Sequence, residues 1–234
     1  AAALWLSPAL AGTFTISPLR VELSQRVATA ALTVRNEGSE PVVVQAESAL
    51  WSQAGGQDAL EPTRDVLVSP AVFTLQPRGS QLVRVALRRA ADPATELSYR
   101  LLLQEVPRQA DAPSTGLQIA LRLSVPVFVA PLESAEPDLA WSSDLGDDGR
   151  IVVRADNKGA AHARVLSFTM TPEGEADATL RQSVPTYVLP GQFRTWTLEN
   201  RNSAREASAG SGGRYTLQGT TDDGEVVAEL SVTR

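Results

Sequence analysis

Residues 117–127 read Leu117-Gln118-Ile119-Ala120-Leu121-Arg122-Leu123-Ser124-Val125-Pro126-Val127. Successive side chains of a β-strand point to opposite faces, so the odd positions form an unbroken apolar ladder while the even ones are small, polar or Pro. Pro126 has no amide hydrogen and is tolerated at edge strands, bulges and strand ends, which predicts that the ladder borders its sheet. A long apolar edge is an aggregation hazard that soluble proteins suppress, so one that is kept is expected to be used. The other reading is an ordinary sandwich strand that packs its apolar face into its own domain. The segment ahead of the ladder, Arg108 to Gly116, has the Pro, Ala, Ser and Asp content of a loop.

Working outward, short β-prone runs alternate with turn chemistry. Phe14 to Leu23, Ala31 to Arg35, Val42 to Ala46, Val66 to Val68, Val72 to Leu75, Leu82 to Leu87 and Tyr99 to Val106 are the strand candidates before the ladder. Asn36-Glu37-Gly38, Pro70 and Pro77-Arg78-Gly79 punctuate them. No stretch of a dozen residues keeps a helical period, so the class is all-β.

The second half repeats the plan of the first. Val34-Arg35-Asn36-Glu37-Gly38 before Val42 is echoed by Val153-Arg154 and Asn157-Lys158-Gly159 before Val165, with the asparagines offset by 121 residues (157 − 36). Phe73-Thr74-Leu75-Gln76-Pro77-Arg78-Gly79 is echoed by Tyr187-Val188-Leu189-Pro190-Gly191, with the prolines offset by 113 (190 − 77). A repeat on this scale predicts two tandem sandwiches, each near the size of an immunoglobulin-like domain, over 13–130 and 131–234. Pro131 and Pro137 flank the acidic spacer at the boundary.

Composition agrees with a folded chain of one large or two ordinary domains: 234 residues, 43% hydrophobic and few aromatics. A net charge of −6, with Lys158 the only lysine, argues against a nucleic-acid partner. The absence of cysteine removes disulfide and thiolate chemistry and leaves the redox compartment open. Ala9-Leu10-Ala11 fits the small-x-small rule of a signal-peptidase site behind an apolar stretch, so residues 1–12 read as the remnant of a signal peptide. The mature protein is expected to be exported, with no later stretch reaching the ~18 apolar residues of a membrane span.

Taken in order, Ile16-Ser17-Pro18-Leu19-Arg20-Val21, Asn36-x-Gly38-x-x-Pro41, Pro70 to Leu75, Pro77 to Gly79, Tyr99 to Pro107 and Leu117-Gln118-Ile119-Ala120-Leu121 resemble the periplasmic chaperones of the chaperone-usher pilus pathway. The resemblance is dense in the first half and thin in the second. It implies an L-shaped pair of immunoglobulin-like domains that binds pilin subunits by donor-strand complementation, a known form of β-strand addition, and delivers them to an outer-membrane usher. No cofactor is implied, and self-association through the same edge is a further interaction to test. On this resemblance Leu117, Ile119, Leu121, Leu123 and Val125 fill the subunit's pockets.

The resemblance also assigns Arg20 to the anchor for the subunit's C-terminal carboxylate, a role that suits a bidentate guanidinium. The family's partner lysine is replaced here by Pro126. Arg122, four residues earlier on the ladder, is the substitute, with Arg100 and Arg84 behind it. Glu96 matches a family acidic residue that helps fix the angle between domains, while the position of its arginine partner is Ala130. Asp222 or Asp223 supplies the remaining acidic place. These departures indicate a divergent branch.

Other chemistry is poorly supported. His162, the only histidine, reads as a surface residue beside a turn rather than the base of a hydrolase. Asp144, Asp147 and Asp148 before Gly149 lack the spacing of a helix-loop-helix calcium site and read as a hairpin turn, as does Asp222-Asp223-Gly224. Trp141 and Trp196 are assigned to the second core. The competing function is a tandem immunoglobulin-like structural or adhesive exported protein, whose ladder would bind no pilin.

Overall fold

The computed structural model describes residues 14–107, 120–146, 148–174, 179–183, 185–198 and 213–232. Among them every regular element is a strand. They group into two compact units, one of 14–51, 60–91 and 97–130, the other of 52–59, 92–96 and 131–232.

In the first unit β1 (Phe14–Ser17), β3 (Thr29–Asn36), β8 (Ser80–Leu87) and β6 (Val66–Ser69) form one sheet in the order β1-β3-β8-β6. The facing sheet runs β2 (Val21–Leu23), β10 (Arg122–Val129), β9 (Leu97–Glu105), β4 (Val42–Ala54) and β5 (Gln57–Pro62), with β7 (Val72–Leu75) also paired to β4. Period-two alternation fills the core between them. Leu32, Val34, Val83 and Val85 come from one sheet; Val44, Ala46, Leu101, Leu103, Val125 and Val127 come from the other. Under that core the Tyr99 hydroxyl donates to Asp65 Oδ2 at 3.1 Å, and Arg89 pairs with the same oxygen at 3.3 Å.

The run from Phe14 to Leu23, expected as one strand, is two. β1 pairs antiparallel with β3, whereas β2 pairs parallel with β10 in the other sheet, and Pro18, Leu19 and Arg20 make the crossing. Pro18 has no N–H to continue either ladder, so the pairing breaks there. β4 is longer than the sequence suggested, and β5 was not anticipated.

The second unit has β11 (Leu139–Leu145), β12 (Ile151–Asn157) and β16 (Phe193–Leu198) in one sheet. Its partner sheet runs β14 (Leu180–Gln182), β13 (Ala163–Pro172), β17 (Arg214–Thr221) and β18 (Gly224–Ser231), with β15 (Thr186–Val188) also on β13. Trp141 and Trp196 do join this core: their rings stack 5.7 Å apart, and each meets Phe168 edge-on at 5.5 and 5.3 Å. The two Asp-rich segments are hairpin turns, with Gly149 at φ 74° between β11 and β12 and Gly224 at φ 131° opening β18. Asp147 lies outside the described residues.

The echoed Pro motifs make the same turn twice. Gly79 N–H donates to Gln76 O at 2.8 Å around Pro77-Arg78, and Gln192 N–H donates to Leu189 O at 3.1 Å around Pro190-Gly191. In both, Pro holds the first central position and the second has a positive φ, 59° at Arg78 and 68° at Gly191.

Candidate functional site

The strand switch at Pro18 decides what borders β10. β9 pairs along the whole strand, from Arg122↔Gln104 to Val129↔Leu97, but β2 covers the other side only at Val127–Val129. Among the described residues, Arg122 to Pro126 is therefore an edge, and the ladder's last three residues are interior. The sequence expectation of a border strand is corrected to a border half-strand.

The direction of the free backbone groups follows from the register. Glu105 N–H donates to Leu121 O at 2.8 Å, and backbone groups of an antiparallel strand alternate sides, so the odd residues of β10 turn their N–H and C=O toward β9. The even residues turn theirs outward. Arg122 and Ser124 each present a donor and an acceptor to the empty side, while buried Pro126, which has no N–H, places its carbonyl where the parallel pairing with β2 begins at Val21. At residue 130 the same side is filled again, by Ala130 N–H donating to Leu23 O at 2.8 Å. Pro126 sits where β9 needs nothing from its nitrogen.

Side chains on the ladder divide at Val125. Leu121 and Leu123 are half-buried against the rim of the core, while Val125 is 2% exposed and Val127 is fully buried. Val125, expected to fill a partner's pocket, is thus a core residue of its own sandwich, because opposite Leu101 both faces of β10 are already covered. Leu117, Ile119 and the segment Arg108 to Gly116 lie outside the described residues, as does the expected leader 1–12.

Cations flank this edge. Arg20 immediately precedes β2, so it lies beside Pro126, and its Nε is 3.0 Å from Glu22 Oε1. Arg122 is exposed at the far end of the free segment, about 13 Å along the strand. The two expected anchors are therefore at opposite ends of the edge. Arg100 is the direct partner of Pro126 across the β9–β10 ladder, and its guanidinium lies 3.5 Å over the ring of Trp51. Trp51 packs on Phe128 at 5.9 Å. This stack was not legible in sequence because β4 continues well past Ala46; the alternation of Glu47, Ala49 and Trp51 on one face was the available signal.

Glu96 and the two aspartates are placed within the second unit. Glu96 Oε1 lies 2.7 Å from His162 Nδ1, with side chains 9% and 16% exposed, and Glu96 N–H donates to Ala160 O at 2.9 Å. His162 is therefore not the surface residue the sequence suggested: it is half-buried, with its ring 5.5 Å from Tyr187. Asp222 lies 3.6 Å from Arg164 Nη1. Asp223 lies in the adjoining turn, its N–H donating to Thr221 Oγ1 at 3.2 Å. No cluster of metal-ligating side chains occurs among the described residues, and no helix there is long and apolar enough to cross a membrane.

The first unit is thus a two-sheet sandwich whose first strand changes sheets and leaves part of its last strand uncovered among the described residues. Residues 13–134 match the family model described as pili and flagellar-assembly chaperone, PapD N-terminal domain. The chain belongs to that pilus-assembly chaperone family. No curated protein matches it in sequence. Among solved structures it is similar to a chain of the CsuC–CsuE chaperone–tip adhesion subunit pre-assembly complex from archaic chaperone-usher Csu pili of Acinetobacter baumannii, at 18% identity, TM-score 0.68, 95% of this chain and 99% of that one. The Salmonella enterica SafA pilin–SafB chaperone complex matches at 18% identity and TM-score 0.62, over 96% of this chain and 97% of that one. The E. coli chaperone DraB matches at 18% identity and TM-score 0.61, over 95% and 96%. At this identity the likeness is one of fold.

Proposed function

We propose that this protein is a periplasmic, non-enzymatic chaperone that holds pilin subunits by donor-strand complementation and passes them to an outer-membrane usher. The observation that carries the reading is the uncovered edge of β10 from Arg122 to Pro126, continuous in sequence with the apolar positions Leu117, Ile119, Leu121 and Leu123. Outward N–H and C=O groups at Arg122 and Ser124 supply affinity that tolerates sequence variation, while alternate side chains read the partner's pockets. Four aliphatic side chains are worth roughly 6–12 kcal/mol gross at ~1.5–3 each. The gain is smaller at Leu121 and Leu123, which are half-buried already, and association and ordering costs offset much of the rest. An intermediate net affinity suits a subunit that must later be released.

The leader-like residues 1–12 support export to the periplasm. Arg20 anchors the subunit's C-terminus in this reading, and Arg122 steers the far end of the strand. The same edge is the route by which free copies would pair with each other.

The test is periplasmic co-expression with a strand-deficient pilin. Ile119→Asp with Leu121→Asp is expected to abolish recovery of soluble subunit while the chaperone itself stays folded by circular dichroism. Undiminished recovery would overturn the donor-strand reading and favour a structural or adhesive tandem sandwich.

A further inference from the structure

We infer that the outer edge of β18 is a second docking strand, which takes an extended basic segment of a partner protein by β-strand addition. This edge lies in the second unit and has no part in the donor-strand reading.

β18 ends its sheet. In the order β14-β13-β17-β18 it pairs with β17 and, among the described residues, with no further strand. The register fixes which backbone groups are left over. Val232 N–H donates to Gly213 O at 2.9 Å, and these two residues continue the pairing of Ser231 with Arg214. Sides alternate along an antiparallel strand, so the even residues of β18 bond to β17, while Glu225, Val227, Glu229 and Ser231 turn N–H and C=O outward. Neither Pro, lysine nor a bulge interrupts Gly224–Ser231, so the row is blunted by its acidic side chains alone.

The same odd residues put their side chains on the solvent face, where Val227 is 67% exposed between exposed Glu225 and Glu229. Glu229 accepts from Thr216 Oγ1 at 3.0 Å, and neither glutamate has an ion-pair partner among the described residues. This pattern selects the occupant. A second copy pairing antiparallel about Val227 would set Glu225 against Glu229 twice over, and like charges directly opposite are destabilising. The net charge of −6 adds a longer-range repulsion between copies. A strand reading basic-x-apolar-x-basic instead sets a cation beside each glutamate, the two about 13 Å apart, and an aliphatic side chain on Val227. Charge chooses the partner, and backbone pairing, which is indifferent to sequence, holds it.

The test is fluorescence anisotropy of the whole chain with a labelled peptide, Thr-Arg-Thr-Val-Thr-Arg-Thr. It is expected to bind about tenfold or more tightly than the same residues in the order Arg-Arg-Val-Thr-Thr-Thr-Thr, and than its analogue with Glu for Arg. In two further peptides the nitrogen of Val, or of the two Thr that flank it, is methylated. The methyl groups then face β18 in one and solvent in the other, so one is expected to lose about tenfold while the other binds as before. Glu225→Lys with Glu229→Lys, both at exposed sites, is expected to keep its circular dichroism and to prefer the Glu analogue. Leu121→Asp, on the other edge, should bind the Arg peptide as wild type does. Failure of wild type to bind the Arg peptide overturns the docking strand. Equal binding of the reordered peptide, or equal loss on both methylations, also overturns it, since either means attraction of charge without strand pairing. Unchanged binding by the double lysine variant, or loss in Leu121→Asp, puts the peptide elsewhere and overturns it too.

Discussion

Asn36 and Asn157 are the same residue in two sandwiches. Asn36 Nδ2 donates to the carbonyls of Glu40 at 2.7 Å and Leu75 at 3.3 Å, and its Oδ1 accepts from Gly38 N–H at 2.8 Å. Asn157 Nδ2 donates to Ala161 at 2.7 Å and Val188 at 3.0 Å, and its Oδ1 accepts from Gly159 N–H at 3.0 Å. Both are essentially buried, at 0% and 1% exposure. Each ties the turn after its own strand to the strand before the Pro corner, so the repeat read from the sequence is a repeat of one hydrogen-bonded corner.

Replacing either asparagine by alanine removes its own bonds and leaves the carbonyls it serves short of a donor, among them the buried one of Leu75 or of Val188. The expected cost is about 2–3 kcal/mol, measured as the change in stability on urea unfolding. Asn36→Asp should cost at least as much, because a carboxylate has no N–H to give to Leu75 and Glu40.

The Pro corners differ at one residue, and that difference is testable. Arg78 sits at φ 59° where Gly191 serves in the second unit, and a non-glycine residue in the left-handed region costs roughly 1 kcal/mol. Its pairing with Glu37 at 3.8 Å is exposed and returns little. Arg78→Gly is expected to raise stability by about 0.5 kcal/mol after the added chain entropy of glycine. A drop in Tm would refute this account of the corner.

Glu96 and His162 should depend on each other. Glu96→Ala and His162→Ala each break the 2.7 Å contact and leave the other partner half-buried without it. Each is expected to cost about 1–2 kcal/mol, with the double variant costing less than the two together by about 1 kcal/mol. Thermal unfolding of all four proteins in the cycle measures the coupling; strict additivity would mean the pair contributes nothing.

Alkaline unfolding should report Tyr99. Its burial, then the negative charge of Asp65, pushes the phenol up to about 12 from an ordinary value of 10.0. The unfolded chain thus loses this proton first as pH rises, so the contribution of Tyr99 is whole below pH 10 and is lost through about pH 12. The expected fall across that window is of order 2–3 kcal/mol. Tyr99→Phe, with no proton to lose, should show a flatter stability profile over the same range in denaturant titrations at stepped pH.

Period-two alternation, Pro and Gly corners and the repeated Asn motif are local signals, and they were enough to specify an all-β chain of two like sandwiches with an apolar strand ending the first. Sequence also marked Pro126 as an edge residue, since the missing N–H is a property of the residue itself. What it left open was which half of that strand is an edge. That depends on Pro18-Leu19-Arg20 moving the first strand from one sheet to the other, an event more than 100 residues away in the chain.

Tertiary pairing alone decided that Val125 is core while Leu121 and Leu123 sit at the rim, that Arg100 rests on Trp51 opposite Pro126, and that His162 meets Glu96. Alternation gives the face on which a side chain stands. It is register between distant strands, fixed by non-local hydrogen bonds, that selects its neighbours.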